Sequence, residues 1–155
     1  MFKRLAAILL PVALAACQPQ AGTLTPTEGD AFLGPADAKV VVVEYGAPTC
    51  PACKSWHDQA WKQIRANYVD SGKIKFVFRE LPPHNPPVDA ANAGIARCVG
   101  GEGYFDVIDE AFVRQRAIDE ASHGPEGPRA QLVSLGSKFG LSATQTEACI
   151  SDPAL

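Results

Sequence analysis

Within this chain of 155 residues, the stretch best equipped for chemistry is Cys50-Pro51-Ala52-Cys53. Two cysteines separated by two residues can bind a metal, attach haem, staple a small loop or exchange disulfides. Haem attachment needs a histidine directly after the second cysteine, and position 54 is Lys54. Structural zinc takes four ligands, usually two close pairs. Here Cys98 and Cys149 stand alone, and His57, His84 and His123 are scattered. His57 reads as packing or flank of its own helix. No metal and no cofactor are therefore expected, although a metal-binding or inert module remains the competing reading. A structural disulfide across two residues closes a tiny loop and constrains little of the unfolded chain. Exchange chemistry explains the location better. A thiol at a helix N-terminus meets unpaired backbone N–H groups and the positive end of the helix dipole, and both favour a thiolate. Cys50 is then expected at or near the N-cap, exposed and nucleophilic. Cys53, one turn in, is expected to be shielded and able to resolve a mixed disulfide.

Such a pair must be carried by a strand and a helix. Lys39 to Tyr45 is a run of β-branched residues apolar on both faces, as a central strand of a covered sheet requires. Glu44 is the one carboxylate in it, and burying it is unfavourable unless it has a partner or a task. From Pro51 to about Val69 the period becomes helical, with Pro51 suited to the first turn. Lys73 to Glu80 alternates as a second strand, predicting a parallel β-α-β unit. Helical patterns follow through Val88–Cys98, Tyr104–Gln115 and Leu132–Phe139. A short helix from Ser142 carries a capping box with Gln145. A polar loop near His123–Pro128 separates the second pattern from the third. Gly100-Gly101-Glu102-Gly103 joins two helices instead of following a strand, which argues against a phosphate loop.

The N-terminus is organised differently. Lys3 and Arg4 precede a 12-residue apolar stretch, Leu5 to Ala16, broken only by Pro11. That is too short to span a bilayer and reads as a secretory signal. Leu14-Ala15-Ala16-Cys17 resembles the lipobox of bacterial lipoproteins, which implies cleavage before Cys17 and lipidation of its thiol. The expected division is a signal at 1–16, a polar tether at 17–37 with room for short secondary structure, and a folded domain at 38–155. Removing the signal takes away two basic and no acidic residues. The mature 139 residues then hold 12 Lys+Arg against 17 Asp+Glu, a net charge of −5. No nucleic-acid partner is expected of such a surface. With Cys17 lipidated, four cysteines remain in an exported chain, an even number suited to two pairs.

From Gly34-Pro35-Ala36-Asp37-Ala38 through the valine run to Cys50-Pro51-Ala52-Cys53, the sequence resembles DsbA-like thiol–disulfide oxidoreductases of the thioredoxin superfamily. Phe78-Arg79-Glu80-Leu81-Pro82 and the small-residue helix before Gly103-Tyr104-Phe105 extend the resemblance from about Gly34 to the end. It implies an α/β fold, a thioredoxin-like β-α-β unit with an inserted helical subdomain. Cys50 would attack, Cys53 would resolve, and Glu44 would be the buried acid beneath them. The implied redox-active disulfide is Cys50–Cys53, with a structural one between Cys98 and Cys149 on two insert helices. The implied partners are cysteines of exported proteins, a membrane redox carrier that reoxidises or reduces the pair, and the membrane through the lipid. The implied location is the cell envelope, facing the periplasm. Reductase or isomerase work is the alternative within the class, because Ala52 occupies the place where strongly oxidising members carry histidine. Members of the superfamily also finish with a β-β-α unit preceded by a cis-proline. No such unit is legible here, and Ser151-Asp152-Pro153 reads as the start of another helix, so the chain is expected to be incomplete at its C-terminus.

Overall fold

The computed structural model describes residues 29–81 and 84–152. The signal, Cys17 and most of the tether lie outside the described residues, as do Pro82 and Pro83 and residues 153–155.

Three strands form one sheet in the order β1-β3-β2: β1 (Ala31–Leu33), β2 (Val41–Gly46) and β3 (Lys75–Glu80). β2 and β3 run parallel, with Glu44 opposite Phe78, as the β-α-β reading predicts. The helical run between them starts as α1 (Pro51–Trp56), widens through a π-helical turn at His57–Trp61, passes α2 (Lys62–Ile64) and ends in a second π-helical turn at Arg65–Val69. The predicted span is right, and the π turns within it are not visible in the apolar pattern.

Two features go beyond what the sequence pattern specified. Among the described residues β3 is the strand paired on both sides: its Lys75, Phe76, Val77 and Phe78 are all buried, whereas Val40, Val42 and Tyr45 are exposed. A valine run records capacity for burial on both faces, but the neighbours that use it decide where the strand sits. Among the described residues β2 is the sheet's edge, and no β-β-α unit follows β3. Secondly, residues 31–33 of the segment read as tether pair antiparallel with β3, placing Ala31 opposite Phe78. Leu33 enters the core, and the Lys75 ammonium lies 4.0 Å from the Phe32 ring centroid, an energetically favourable cation–π contact. Three residues are too few to show periodicity.

The insert is helical: α3 (Pro86–Val99), α4 (Gly103–Val113), α5 (Gln115–Ser122), α6 (Arg129–Lys138) and α7 (Ala143–Ser151). α5 is separate from α4 because the chain turns at Arg114, a break the apolar spacing conceals. The capping box at Ser142 and Gln145 starts α7 as predicted. Ser151 ends α7 with Asp152 as its C-cap, and the helix expected to continue through Pro153 lies outside the described residues. Phe76 and Phe78 of β3, Trp61 of the helical run, and Phe105, Ile108 and Phe112 of α4 share one core, which binds insert to sheet. Cys98 of α3 and Cys149 of α7 are joined by a disulfide with Cα atoms 6.0 Å apart. Gly94 permits the close helix approach beside it, since a Cβ there would lie 2.4 Å from the Cys149 carbonyl oxygen.

Candidate active site

At the C-terminal end of β2 the chain turns through Ala47, Pro48 and Thr49 into α1. The Cys50 N–H bonds to the Ala47 carbonyl at 3.0 Å, closing the turn. Cys50 is the N-cap residue, with extended backbone angles, and its Sγ accepts the Cys53 N–H at 3.3 Å. Pro51 occupies the first helical turn, where no N–H partner is needed. These local features direct one thiol at the helix N-terminus and set the second a turn below it. Both cysteines are free thiols in the structure.

Their exposure reverses the expectation. Cys50 is only 8% exposed, while Cys53 is half-buried. The insert explains the first: Gln115, at the start of α5, donates its side-chain amide to the carbonyls of Pro48 at 2.5 Å and Cys50 at 3.0 Å. The second follows from the edge position of β2. A groove lined by Val42, Glu44, Tyr45, Cys53, Trp56 and Phe76 runs between that strand and α1. Burial, aided by the hydrogen bond with Cys50, pushes the Cys53 thiol up to about 11. The protonated thiol is thus the form present at neutral pH.

Glu44 stands in the same groove. Burial pushes its carboxyl from 4.5 up to about 7, opposed by nearby His57 and reinforced by Asp109. Gly46 lies between acid and thiol. A Cβ built on it would sit 3.1 Å from Glu44 Oε1, 3.2 Å from the Phe78 ring and 3.6 Å from Cys53 Sγ. Carboxyl and thiol therefore border one small space that a side chain at 46 would fill. His57, on the first π-helical turn, stacks on Phe112 with ring centroids 4.6 Å apart, and its Nε2 is 2.9 Å from Asp109 Oδ1. Arg65 approaches the same carboxylate at 3.4 Å.

Three side chains here escaped the sequence reading: Asp89, Gln115 and Asp109. Asp89, 1% exposed in the first turns of α3, accepts the Thr49 N–H at 3.0 Å and the Thr49 hydroxyl at 2.5 Å. A buried acid directly after Pro86-Pro87-Val88 reads locally as a favourable first-turn charge. Only the packing of α3 against the loop gives it another partner. Cys98 and Cys149 lie away from this group, as the staple between α3 and α7. Among the described residues no group of three or more His, Cys, Asp or Glu is placed to hold a metal.

Comparisons agree with the geometry. A thioredoxin family model, Thioredoxin_4, matches residues 26–154. An inferred protein-disulfide oxidoreductase of Rickettsia bellii is 32% identical over 125 residues, which are 81% of this chain and 46% of that protein. Disulfide bond formation protein D of Bacillus subtilis is 39% identical over 57 residues, 37% of this chain and 26% of that protein. Among solved structures, Wolbachia pipientis alpha-DsbA1 superposes with a TM-score of 0.74 at 25% identity, covering 84% of this chain and 64% of its own. The chain thus spans less than half the length of the Rickettsia relative it matches. A parallel β-α-β unit with a C-x-x-C at its helix start, a helical insert and a family match across most of its length together place the chain in the thioredoxin family, among its DsbA-like members.

Proposed function

We propose that this protein is an exported, lipid-anchored thiol–disulfide oxidoreductase acting on cysteines of other exported proteins. The observation that carries the reading is the pairing of an N-cap thiol, Cys50, with a protonated thiol, Cys53, that shares its groove with the raised carboxyl of Glu44. In the oxidising direction a substrate thiolate attacks Cys50 Sγ of the Cys50–Cys53 disulfide. A substrate–Cys50 bond forms, the Cys50–Cys53 bond breaks, and Cys53 leaves as a thiolate that takes a proton from Glu44. A second substrate thiolate then attacks the substrate sulfur, releasing Cys50 and leaving the substrate oxidised. Two electrons pass to the pair, and a membrane redox partner removes them. Reduction is the same sequence reversed, with ionised Glu44 taking the Cys53 proton. A carboxyl near pH 7 can serve in both directions.

The names borne by the Rickettsia and Bacillus relatives support the reaction class, and the lipobox-like Cys17 supports the anchor. Among the described residues no helix is long and apolar enough to cross a membrane. Equilibration of the full chain with glutathione buffers tests both activity and direction. We expect the pair to exchange, with a midpoint above that of thioredoxin, about −270 mV, as the oxidising direction requires. A thioredoxin-like midpoint would assign the reductive direction. A pair that does not exchange, or one equivalent of copurifying metal lost in Cys50→Ser, would refute the oxidoreductase reading.

A further inference from the structure

We propose that Asp89 is a positioning residue for Cys50: acting through Thr49, it locks the loop that presents the attacking thiol and so holds up the reduced state of the pair. This rests on the oxidoreductase reading above. Asp89 is 1% exposed, and both of its carboxylate oxygens are taken by one residue, the one immediately before Cys50. It does not cap its own helix, whose N-cap, Asn85, makes no side-chain capping bond. Burying a carboxylate carries a large desolvation penalty, and here the hydrogen bonds that offset it go to the active-site loop.

The residues flanking Thr49 in that loop are held by Gln115, which donates to the Pro48 and Cys50 carbonyls. The Cys50 N–H is satisfied by Ala47, and the Cys50 carbonyl also accepts from Lys54. α3 and α5, two elements of the insert, thus grip three consecutive residues, 48 to 50. The grip matters differently in the two redox states. In the disulfide, a covalent bond fixes Cys50 Sγ whatever the loop does. In the dithiol, the loop, the 3.3 Å hydrogen bond from the Cys53 N–H and the hydrogen bond between the two thiols keep it at the N-cap. Releasing Thr49 therefore weakens the reduced state selectively and moves the equilibrium toward the disulfide.

The test is the glutathione equilibrium of the full chain. Two glutathione thiols give two electrons and two protons to the Cys50–Cys53 disulfide and leave as glutathione disulfide. Thr49→Val keeps the N–H bond and removes the hydroxyl, leaving one buried carboxylate oxygen unpaired. Asp89→Ala removes the grip altogether. Each should favour the disulfide by roughly fivefold, the usual effect of losing a helix N-cap contact, and the double variant should add little. Thr49→Ser, which retains both donors, should match wild type. A general loss of packing would lower the melting temperature without moving this equilibrium and without rescue by serine. If Asp89→Ala does not fold, Thr49→Val and Thr49→Ser decide alone. An exchanging wild type beside a folded Thr49→Val with an unshifted or oppositely shifted equilibrium overturns this inference. A wild type inert to glutathione overturns the oxidoreductase reading first, and this inference with it.

Discussion

Replacing Glu44 with glutamine removes a titration that burial has moved into the physiological range. In the folded protein the carboxyl is raised from 4.5 to about 7, chiefly by desolvation. The native state therefore holds this proton more tightly than the unfolded chain. Its contribution to stability is fully present below pH 4.5 and is lost as pH rises through about 7. At about 1.4 kcal/mol per pKa unit the full effect is about 3 kcal/mol; partial solvent access reduces this to about 2 kcal/mol. Glutamine keeps the shape and never ionises, so the variant should lack this loss. Urea unfolding of the dithiol form at about pH 4 and about pH 8.5 measures it. The stability of Glu44→Gln relative to wild type should improve by about 2 kcal/mol between the two pH values. Cys53 does not interfere, because its raised thiol titrates between 9.0 and about 11. Asp89 and Glu110 are present in both proteins and cancel in the difference. A flat difference across the range would show that Glu44 is not a buried acid, and its place in the proposed proton transfer would fall with it.

Alkylation of the reduced pair should distinguish the thiols by protonation. Cys53 should label slowly through neutral pH and accelerate only as pH approaches about 11, despite being the more accessible of the two; fast Cys53 labelling at neutral pH would contradict the site as described. Removing the α3–α7 disulfide with Cys98→Ala and Cys149→Ala opens a loop of 51 residues and should lower stability by about 4 kcal/mol, read by denaturant unfolding. An effect near zero would mean that packing around Gly94 holds the two helices without it. For the proposed anchor, the protein made in a bacterial host should partition into detergent, and Cys17→Ser should abolish this. Mass spectrometry finding an unmodified Cys17, or a start beyond it, would refute lipidation.

The local half of this protein was legible in its residues. A β-branched run, a proline one place inside a helix start and a switch from strand to helical period are short-range signals. They sufficed for β2, the C-x-x-C at the N-terminus of α1, and β3. Ser142 and Gln145 likewise announced α7, because a capping box is completed within one turn. Glu44 stood out as a lone carboxylate among valines. What surrounds the thiols was not legible, because it depends on groups distant in the chain. Asp89 reaches Thr49 across 40 residues, Asp109 reaches His57 across 52, and Gln115 reaches Cys50 across 65. No periodicity or cap encodes such contacts; they arise when α3 and α4 pack on the sheet through the shared core and α5 brings Gln115 to the loop after β2. The same docking made Cys50 the more covered thiol, where helix position alone suggested the more exposed one. Among the described residues β3 is paired on both sides for a related reason: which strand pairs so depends on where residues 31–33 return to the sheet, and three residues carry no pattern of their own.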